Sequence, residues 1–321
     1  MFLLSLLTTL LVALWRTETP GAAKPPRGRR RPAAEAPAER GDCKAAADEE
    51  WLARLQVSEA DVQRIRRCPQ RKATGRASQE WLRDRRHRLT ASRFHRAMAA
   101  VSEDCSRCDA DLSCRQVIED MLGQPEAASN PRRFGIANEP LARQSYEGYR
   151  LQGLDAAARA EFSVEETGLC VCAAEPWLAA SPDGVVREGA SLGALEIKCC
   201  REASRMFSVE DIPPEYYDQM QGEMAVMASV FHREVAWCDF FVWSPSRRRC
   251  RRVAFDADYF HGRMLPKLRA FYFGRYVPVA RCVPLGSTAG PALARSAREI
   301  VKEFQKRGWH PRQRAGAVAG R

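Results

Sequence analysis

The chain has 321 residues, of which 45% are hydrophobic and 28% charged, so it can bury a sizeable core and is globular overall. Its twelve cysteines lack the dense, even spacing of a small disulfide-stabilised domain, which argues against a secreted, disulfide-bonded protein. The net charge of +11 indicates a polyanionic partner, and nucleic acid fits best because most of the basic residues are arginine, whose guanidinium pairs with phosphate. Compositional bias in basic tails is the alternative explanation of the charge.

The first 47 residues are predicted to lie outside the folded domain. Residues 1–15 are apolar but too few to span a bilayer comfortably, and they leave open a secretory signal peptide, a mitochondrial presequence or an incidental apolar start. Residues 17–47 are rich in Pro, Ala and Arg, which predicts a disordered basic linker. A nuclear or mitochondrial location is favoured over secretion, and a membrane partner is expected only if residues 1–15 are retained.

Helical periodicity begins after the linker. Trp51, Leu55 and Val62 fall on one helical face, which predicts an accessory helical segment over residues 48–76. Ser58 is placed to cap its second helix.

Two polar clusters follow. Arginines crowd residues 83–88, at the end of a helix that Ser78 can cap, and they suit either a solvated helix face or an anion contact. Cys105, Cys108 and Cys114 have a spacing that suits metal ligation, but a fourth ligand is not evident. Incidental thiols are therefore expected there rather than an iron–sulfur cluster or zinc.

The segment 131–151 is predicted to be a helix that carries Glu139. Because proline is tolerated in a helix only near its start, Pro140 predicts that Glu139 lies close to the N-terminal end. A carboxylate is favoured at that end by the helix dipole.

The remaining elements are strands and helices in an order that agrees with an α/β (α+β) fold. The predicted strands are 161–164, 169–173, 177–180, 235–243 and 251–255, and the predicted helices are 215–230, 257–273 and 292–305. An arginine-rich turn at 244–249 joins the last two strands, and it suits either a DNA backbone contact or a sheet edge protected by charge.

Residues 176–198 contain the chemistry around which the chain is organised. Asp183 lies between a proline and a glycine, and the turn residues 187–193 let the chain double back and bring Asp183 close to Glu196. Side chains alternate along a strand, so Glu196 and Lys198 point one way and Ile197 the other. Two carboxylates beside one amine predict a site for a hard divalent cation and the water it activates.

This pattern, P-D-(x)12-E-I-K, resembles the PD-(D/E)xK nuclease superfamily, and within it the YqaJ-type viral recombinase and phage lambda exonuclease family. Further matches to that family lie in the same order, at Trp81 and Arg85, at Thr90 to Ser92, at Gly135 to Ala142, at Ser181 to Gly184, at Leu195 to Lys198 and at Tyr216 to Met224. The resemblance covers roughly residues 78–275. It implies a central mixed β-sheet flanked by helices, with a restriction-endonuclease-like PD-(D/E)xK core, in a nuclease domain at 77–285 that is followed by a basic tail at 286–321.

The resemblance also implies an activity and a set of roles. It implies a Mg²⁺-dependent deoxyribonuclease, for which Mn²⁺ is a possible alternative metal, that acts on duplex DNA ends in recombination or repair. The metal ligands would be Glu139, Asp183, Glu196 and the Ile197 carbonyl. Lys198 and Gln219 would act on the attacking water, whereas Arg85 and Ser92 would grip the 5′ phosphate, with Gln221 as a further phosphate-binding candidate.

Two other functions remain open at this point. The same fold without turnover would be a DNA-binding module, and the superfamily's restriction enzymes make an endonuclease the other alternative. A homo-oligomer is possible because relatives form rings, although no residue here requires one.

Overall fold

The computed structural model describes residues 48–71, 77–102, 107–122, 130–202, 204–208, 210–283 and 291–307. The predicted apolar start, the basic linker, Cys105 and the last part of the basic tail lie outside these residues.

Helices and strands follow one another in the predicted order. Residues 48–53 are helical, and the helices that follow are α1 (Glu59–Arg67), α2 (Gln79–Arg85), α3 (Phe94–Ala99), α4 (Arg107–Leu122), α5 (Asn130–Gln152), α6 (Ala156–Ala160), α7 (Pro214–Phe231), α8 (Leu265–Phe271), α9 (Val277–Arg281) and α10 (Pro291–Arg307). The strands are β1 (Leu89–Thr90), β2 (Phe162–Glu165), β3 (Cys170–Val171), β4 (Leu178–Ala180), β5 (Gly184–Glu188), β6 (Ser191–Cys199), β7 (Trp237–Trp243) and β8 (Arg248–Ala254). None of the helices in the described part of the chain combines the length and apolar character that a membrane span needs.

The strands form two mixed sheets. The larger sheet has the order β2-β5-β6-β7-β8, in which only β6 and β7 are parallel. The smaller sheet has the order β1-β4-β3, with β1 parallel to β4. Residues 181–183 pass directly from β4 to β5 and so join the two sheets. The predicted mixed sheet flanked by helices is confirmed.

Helices cover both faces of the larger sheet. On one face α7 buries Met220, Met224 and Met227 in the main core, which also contains Phe240 and Val242 of β7. The other face packs against α5, whose Ala142 and Tyr146 lie in a second core cluster with Ile197 of β6 and Phe241 of β7. The methionines at helical spacing are thus core packing, as predicted.

The N-terminal helices pack into the main core with the rest of the chain. Trp51 is 6% exposed, and its Nε1 donates a 3.1 Å hydrogen bond to the hydroxyl of Tyr272. Ser58 caps α1 as predicted, and Asp61 completes the capping box from the third helical position.

The helix predicted at 131–151 is confirmed as α5, but three other features of the helices differ from the prediction. Helix α5 begins at Asn130, so Pro140 lies inside it and Glu139 is not close to its N-terminal end. The buried contacts of Ala142 and Tyr146 outweigh the hydrogen bond that Pro140 cannot make. Helix α2 ends at Arg85 rather than Arg88, because His87 has a φ of 63°, which no α-helix can contain.

The third difference is at the end of the domain. The helix predicted to stop at Phe273 continues through α8 and α9 to Arg281, with π-helical segments at Tyr259–Met264 and Tyr272–Tyr276. Tyr272 and Tyr276 are fully buried, so aromatic packing keeps this segment helical beyond the predicted end.

Gly222 of α7 allows the closest approach between α7 and α3. A Cβ at this position would lie 2.4 Å from two ring carbons of Phe94, which is itself fully buried. We expect Gly222→Ala to lower the free energy of unfolding by about 1–3 kcal/mol through overpacking, although alanine is the better helix former.

The matched control is Gly148→Ala on α5, where a Cβ would meet nothing within 4 Å. In that variant, the free energy of unfolding measured with urea should rise by about 0.5–1 kcal/mol. Equal changes in the two variants would contradict the proposed close packing of α7 on α3.

Candidate active site

Asp183 is fixed at the entrance to the β5–β6 hairpin. Its backbone N–H donates to the carbonyl of Leu195 at 3.0 Å, and its side-chain Oδ2 accepts a 2.7 Å hydrogen bond from the N–H of Ile197. These two bonds reach strand β6 on either side of Glu196. The register, in which Gly184 pairs with Leu195, therefore brings Asp183 opposite Glu196, as the sequence predicted.

Glu196 and Lys198 share one face of β6. Lys198 Nζ donates to Glu196 Oε1 at 2.5 Å and lies 4.7 Å from the ring centre of Tyr216, whereas the side chain of Ile197 packs into the cluster on the opposite face. The predicted alternation of these three residues is confirmed. Glu196 is buried, whereas the Lys198 side chain keeps 24% of its surface exposed.

Acidic groups crowd around this pair. The pKa of Asp183 is raised well above its usual value by burial and then by the charges of Glu196 and Glu139. Burial also raises the pKa of Glu139, against the opposing charges of Arg71 and Arg143. The carboxylates of this site therefore repel one another, which disfavours their ionised forms.

The pKa of Lys198 is also raised, but for an amine this favours the charged form. Burial alone would lower the pKa of Lys198, but the carboxylates of Glu196 and Asp183 outweigh burial and raise it. Lys198 is accordingly a permanently protonated ammonium near neutral pH.

The donor set suits a hard divalent cation. Within the residues that the structure describes, no three His, Cys, Asp or Glu side chains form a ready-made metal shell. Mg²⁺, however, is commonly held by one or two carboxylates, with water and substrate phosphate filling its other positions. Asp183 and Glu196 supply those carboxylates. The pKa of Asp183 is raised first by burial and then by the charges of Glu196 and Glu139, and a cation would offset those charges. The residues present fit such an ion.

Helix α7 presents Gln219 and Glu223 on one face, four residues apart. Gln219 Nε2 donates to Glu223 Oε1 at 2.9 Å, and Glu223 Oε2 is buried without a hydrogen-bond partner among the residues that the structure describes. Burial, followed by the charge of Glu196, raises the pKa of Glu223 well above its usual value. The sequence showed that the two residues share a face, but nothing in it indicated that Glu223 would join the acidic group.

Gln221 is not brought into this group. It is fully buried, its Nε2 donates to the carbonyl of Ala254, and its Oε1 accepts from the N–H of Asp256. A phosphate contact by Gln221 would require both of these bonds to break.

Arg85 and Ser92 meet beside the acidic cluster. The Arg85 guanidinium donates to the hydroxyls of Ser181, Thr90 and Ser92 at 3.2, 3.1 and 3.4 Å, and it stacks 4.5 Å from the ring centre of Trp81. Because Ser181 is two residues before Asp183, this hydroxyl-rich pocket, the Arg85 pocket, directly adjoins the carboxylates. Thr90 and Ser181 belong to two of the segments that resemble the nuclease family, but the sequence did not predict that both would contact Arg85.

The cysteines remain thiols in the described residues. Cys114 is buried in the main core, and burial raises its pKa to about 12, which disfavours the thiolate that a metal requires. Cys105 and the side chain of Cys108 lie outside the described part of the chain.

Comparison with known proteins agrees with the motifs. Residues 80–229 match the model of the YqaJ-like viral recombinase domain. Among solved structures, the chain is similar to an alkaline exonuclease, LHK-Exo, from Laribacter hongkongensis, with 23% identity and a TM-score of 0.46 over 72% of this chain and 97% of that one. It is also similar to LHK-Exo in complex with dAMP, with 23% identity and a TM-score of 0.47 over 72% of this chain and 98% of that one. No curated protein sequence gives a significant match.

The matched segment begins in α2, which carries Arg85, and ends in α7, which carries Gln219, so it contains the Arg85 pocket, the acidic cluster and Lys198. Residues 80–229 therefore match the YqaJ-like viral recombinase domain in the part of the chain that holds the candidate site.

Proposed function

We propose that this protein is a divalent-metal-dependent deoxyribonuclease that degrades duplex DNA from its ends, in recombination or repair. The observation that carries the proposal is the convergence of Asp183, Glu196 and Lys198 at the start of the β5–β6 hairpin. Carboxylates that hold a metal beside a protonated amine are the groups that phosphodiester hydrolysis needs.

A bound Mg²⁺ or Mn²⁺ would supply Lewis acidity and lower the pKa of the attacking water. Asp183 and Glu196 would hold this ion, with Glu139 and the Ile197 carbonyl as further ligands. The protonated Lys198 would stabilise the negative charge that develops on the phosphate oxygens.

Gln219 would orient the attacking water. Its Nε2 is engaged by Glu223, which leaves Oε1 as the atom that can accept a hydrogen bond from that water. Glu223 therefore acts as a positioning residue, because it sets which end of the Gln219 amide is presented.

The Arg85 pocket supports action at an end rather than within a strand. A guanidinium surrounded by three hydroxyl groups is suited to a terminal phosphate with several free oxygens. Since the pocket adjoins Asp183, a 5′ phosphate held there would leave the first internucleotide linkage near the carboxylates.

The first prediction concerns the acidic cluster and its lysine. We expect Asp183→Asn and Lys198→Ala each to reduce nucleotide release from linear duplex DNA in Mg²⁺ by at least about 100-fold, because each removes charge that the transition state needs. The exposed Asp211→Asn and Lys267→Ala variants are matched controls and should keep wild-type rates. Undiminished activity in the first pair would refute the assignment.

The second prediction concerns the choice of DNA end. Arg85→Ala should raise KM for 5′-phosphorylated linear duplex by about tenfold or more and abolish its preference over a 5′-hydroxyl end, because a charge-assisted phosphate contact is lost. Arg83→Ala is the control, since Arg83 lies on the same helix with a 65% exposed side chain that contacts Asp84.

Wild-type protein should leave closed circular DNA intact in the same assay. Cutting of the circle would identify an endonuclease, and metal-dependent binding without product would identify an inactive binding module.

The third prediction isolates Glu223. Glu223→Ala should lower kcat by about tenfold or more at unchanged KM, because Gln219 loses the hydrogen bond that fixes the orientation of its amide. Glu223→Gln keeps an acceptor oxygen and should restore most of the rate. In a Gln219→Ala background, Glu223→Ala should cost nothing further; a full additional loss would show that Glu223 acts independently of Gln219.

A further inference from the structure

The loop that carries Asp183 is also held from the N-terminal part of the chain. Gln70 follows α1 and precedes the residues that match the YqaJ-like domain. Its side-chain Nε2 donates 3.1 Å hydrogen bonds to two backbone carbonyls, those of Pro182 and Thr167. An amide nitrogen carries two hydrogens, so these two bonds use both of them.

The carbonyl of Pro182 belongs to the peptide unit that leads into Asp183. The N–H of the same unit donates to the carbonyl of Leu195 on β6 at 3.0 Å. A peptide unit is planar, so holding its carbonyl and its N–H from opposite sides restricts its rotation. The Cα of Asp183 is a corner of this plane, and the direction of the carboxylate therefore depends on both bonds. Gln70 supplies the part of the constraint that β6 does not.

Gln70 is itself anchored in the fold. Its backbone carbonyl accepts a 3.0 Å hydrogen bond from the N–H of Ser78, the residue that caps α2. On its other side, the carbonyl of Arg66 accepts a 2.6 Å hydrogen bond from the N–H of Gly168. Because the segment is tied down on both sides of Gln70, the amide can hold the Pro182 carbonyl in place rather than move with it.

The two carbonyls that the amide holds lie next to different acids of the site. The first belongs to the residue before Asp183, and the second is that of Thr167, which directly follows Glu166. Glu166 and Glu139 both contact Arg143, with 3.6 Å between the charged groups of Arg143 and Glu139. One side chain therefore connects the loop of Asp183 with the segment beside Glu139.

We propose that Gln70 is a positioning residue for the metal site. By holding the carbonyl that precedes Asp183, it sets the direction in which the Asp183 carboxylate can share a cation with Glu196. The inference rests on the proposed nuclease function, in which these two carboxylates hold the metal. It makes the segment after α1 a part of the active site, although this segment lies outside residues 80–229. Gln70 acts through Asp183 and not as a ligand, so its effect is on metal affinity.

The test measures the affinity of the full chain for Mn²⁺ without DNA, from the electron paramagnetic resonance signal of the free ion. Gln70→Met keeps the length of the side chain but removes both donors. It should weaken Mn²⁺ binding by about three- to tenfold, which is the effect of losing one net hydrogen bond. Gln70→Asn keeps the amide but is one methylene shorter, and it should give a smaller loss.

Gln63→Met is the matched control. The Gln63 side chain also makes hydrogen bonds, but these run along α1 itself, to Glu59 and from Arg66. This variant loses the same kind of interaction away from the loop of Asp183, so it should bind Mn²⁺ as the wild-type protein does. Unchanged Mn²⁺ affinity in Gln70→Met, or an equal loss in Gln63→Met, would overturn the proposal.

Activity gives a second readout that a general structural defect would not show. Gln70→Met should need about three- to tenfold more Mg²⁺ than wild type for half-maximal nucleotide release from linear duplex DNA. At saturating Mg²⁺ its rate should approach that of the wild-type protein. A rate that stays low at saturating Mg²⁺ would count against a role in metal affinity.

The two proposals fail separately in this design. Wild-type protein that binds Mn²⁺ more tightly than Gln70→Met but releases no nucleotides would contradict the nuclease function and leave the role of Gln70 in metal binding standing. Active wild-type protein with an unaltered metal requirement in Gln70→Met would do the reverse.

Discussion

The clamp that strand β6 places on Asp183 is the interaction on which the rest of the site depends. Backbone groups of Leu195 and Ile197 hold Asp183 from either side of Glu196, and each such hydrogen bond contributes about 0.5–1.5 kcal/mol. Without these bonds, the two carboxylates would reduce their repulsion by separating. The two hydrogen bonds keep the carboxylates together. Burial, followed by the charges of Glu196 and Glu139, then raises the pKa of Asp183. A cation bound between the two carboxylates would be attracted to both, so their closeness would favour its binding.

The two helices that sandwich the larger sheet complete the site from opposite sides. Glu139 comes from α5, on the face that buries Ile197, whereas Gln219 and Glu223 come from α7, on the face that carries Lys198. The fit of Gly222 against Phe94 ties α7 to the segment that carries Ser92. Core packing therefore sets the position of the Arg85 pocket relative to the side-chain amide of Gln219.

Local patterns predicted those parts of the site that depend on local geometry. The alternation of Glu196, Ile197 and Lys198 follows from the pleat of any strand, and the turn at Gly189, with a φ of 57°, brings Asp183 opposite them. Glu139 was placed near a helix start because Pro140 breaks an isolated helix, but tertiary contacts of α5 override that local preference.

Other features depend on which way a side chain faces, and the residue types alone do not give that. Gln219 and Gln221 belong to the same motif, yet at 100° per residue they point to opposite sides of α7, and only Gln219 faces the carboxylates. Strand β8 lacks a regular alternation of polar and apolar residues, so its sequence did not predict on which face of the sheet each arginine lies. Pairing with β7 was needed to separate Arg249 and Arg251 from Arg248 and Arg252.

Anomalous diffraction from crystals soaked in Mn²⁺ tests the central claim most directly, because it locates the metal without relying on turnover. The account predicts a peak within about 2.5 Å of carboxylate oxygens of both Asp183 and Glu196. Absence of a peak there at saturating Mn²⁺, or side chains of these two residues turned away from each other, would contradict it.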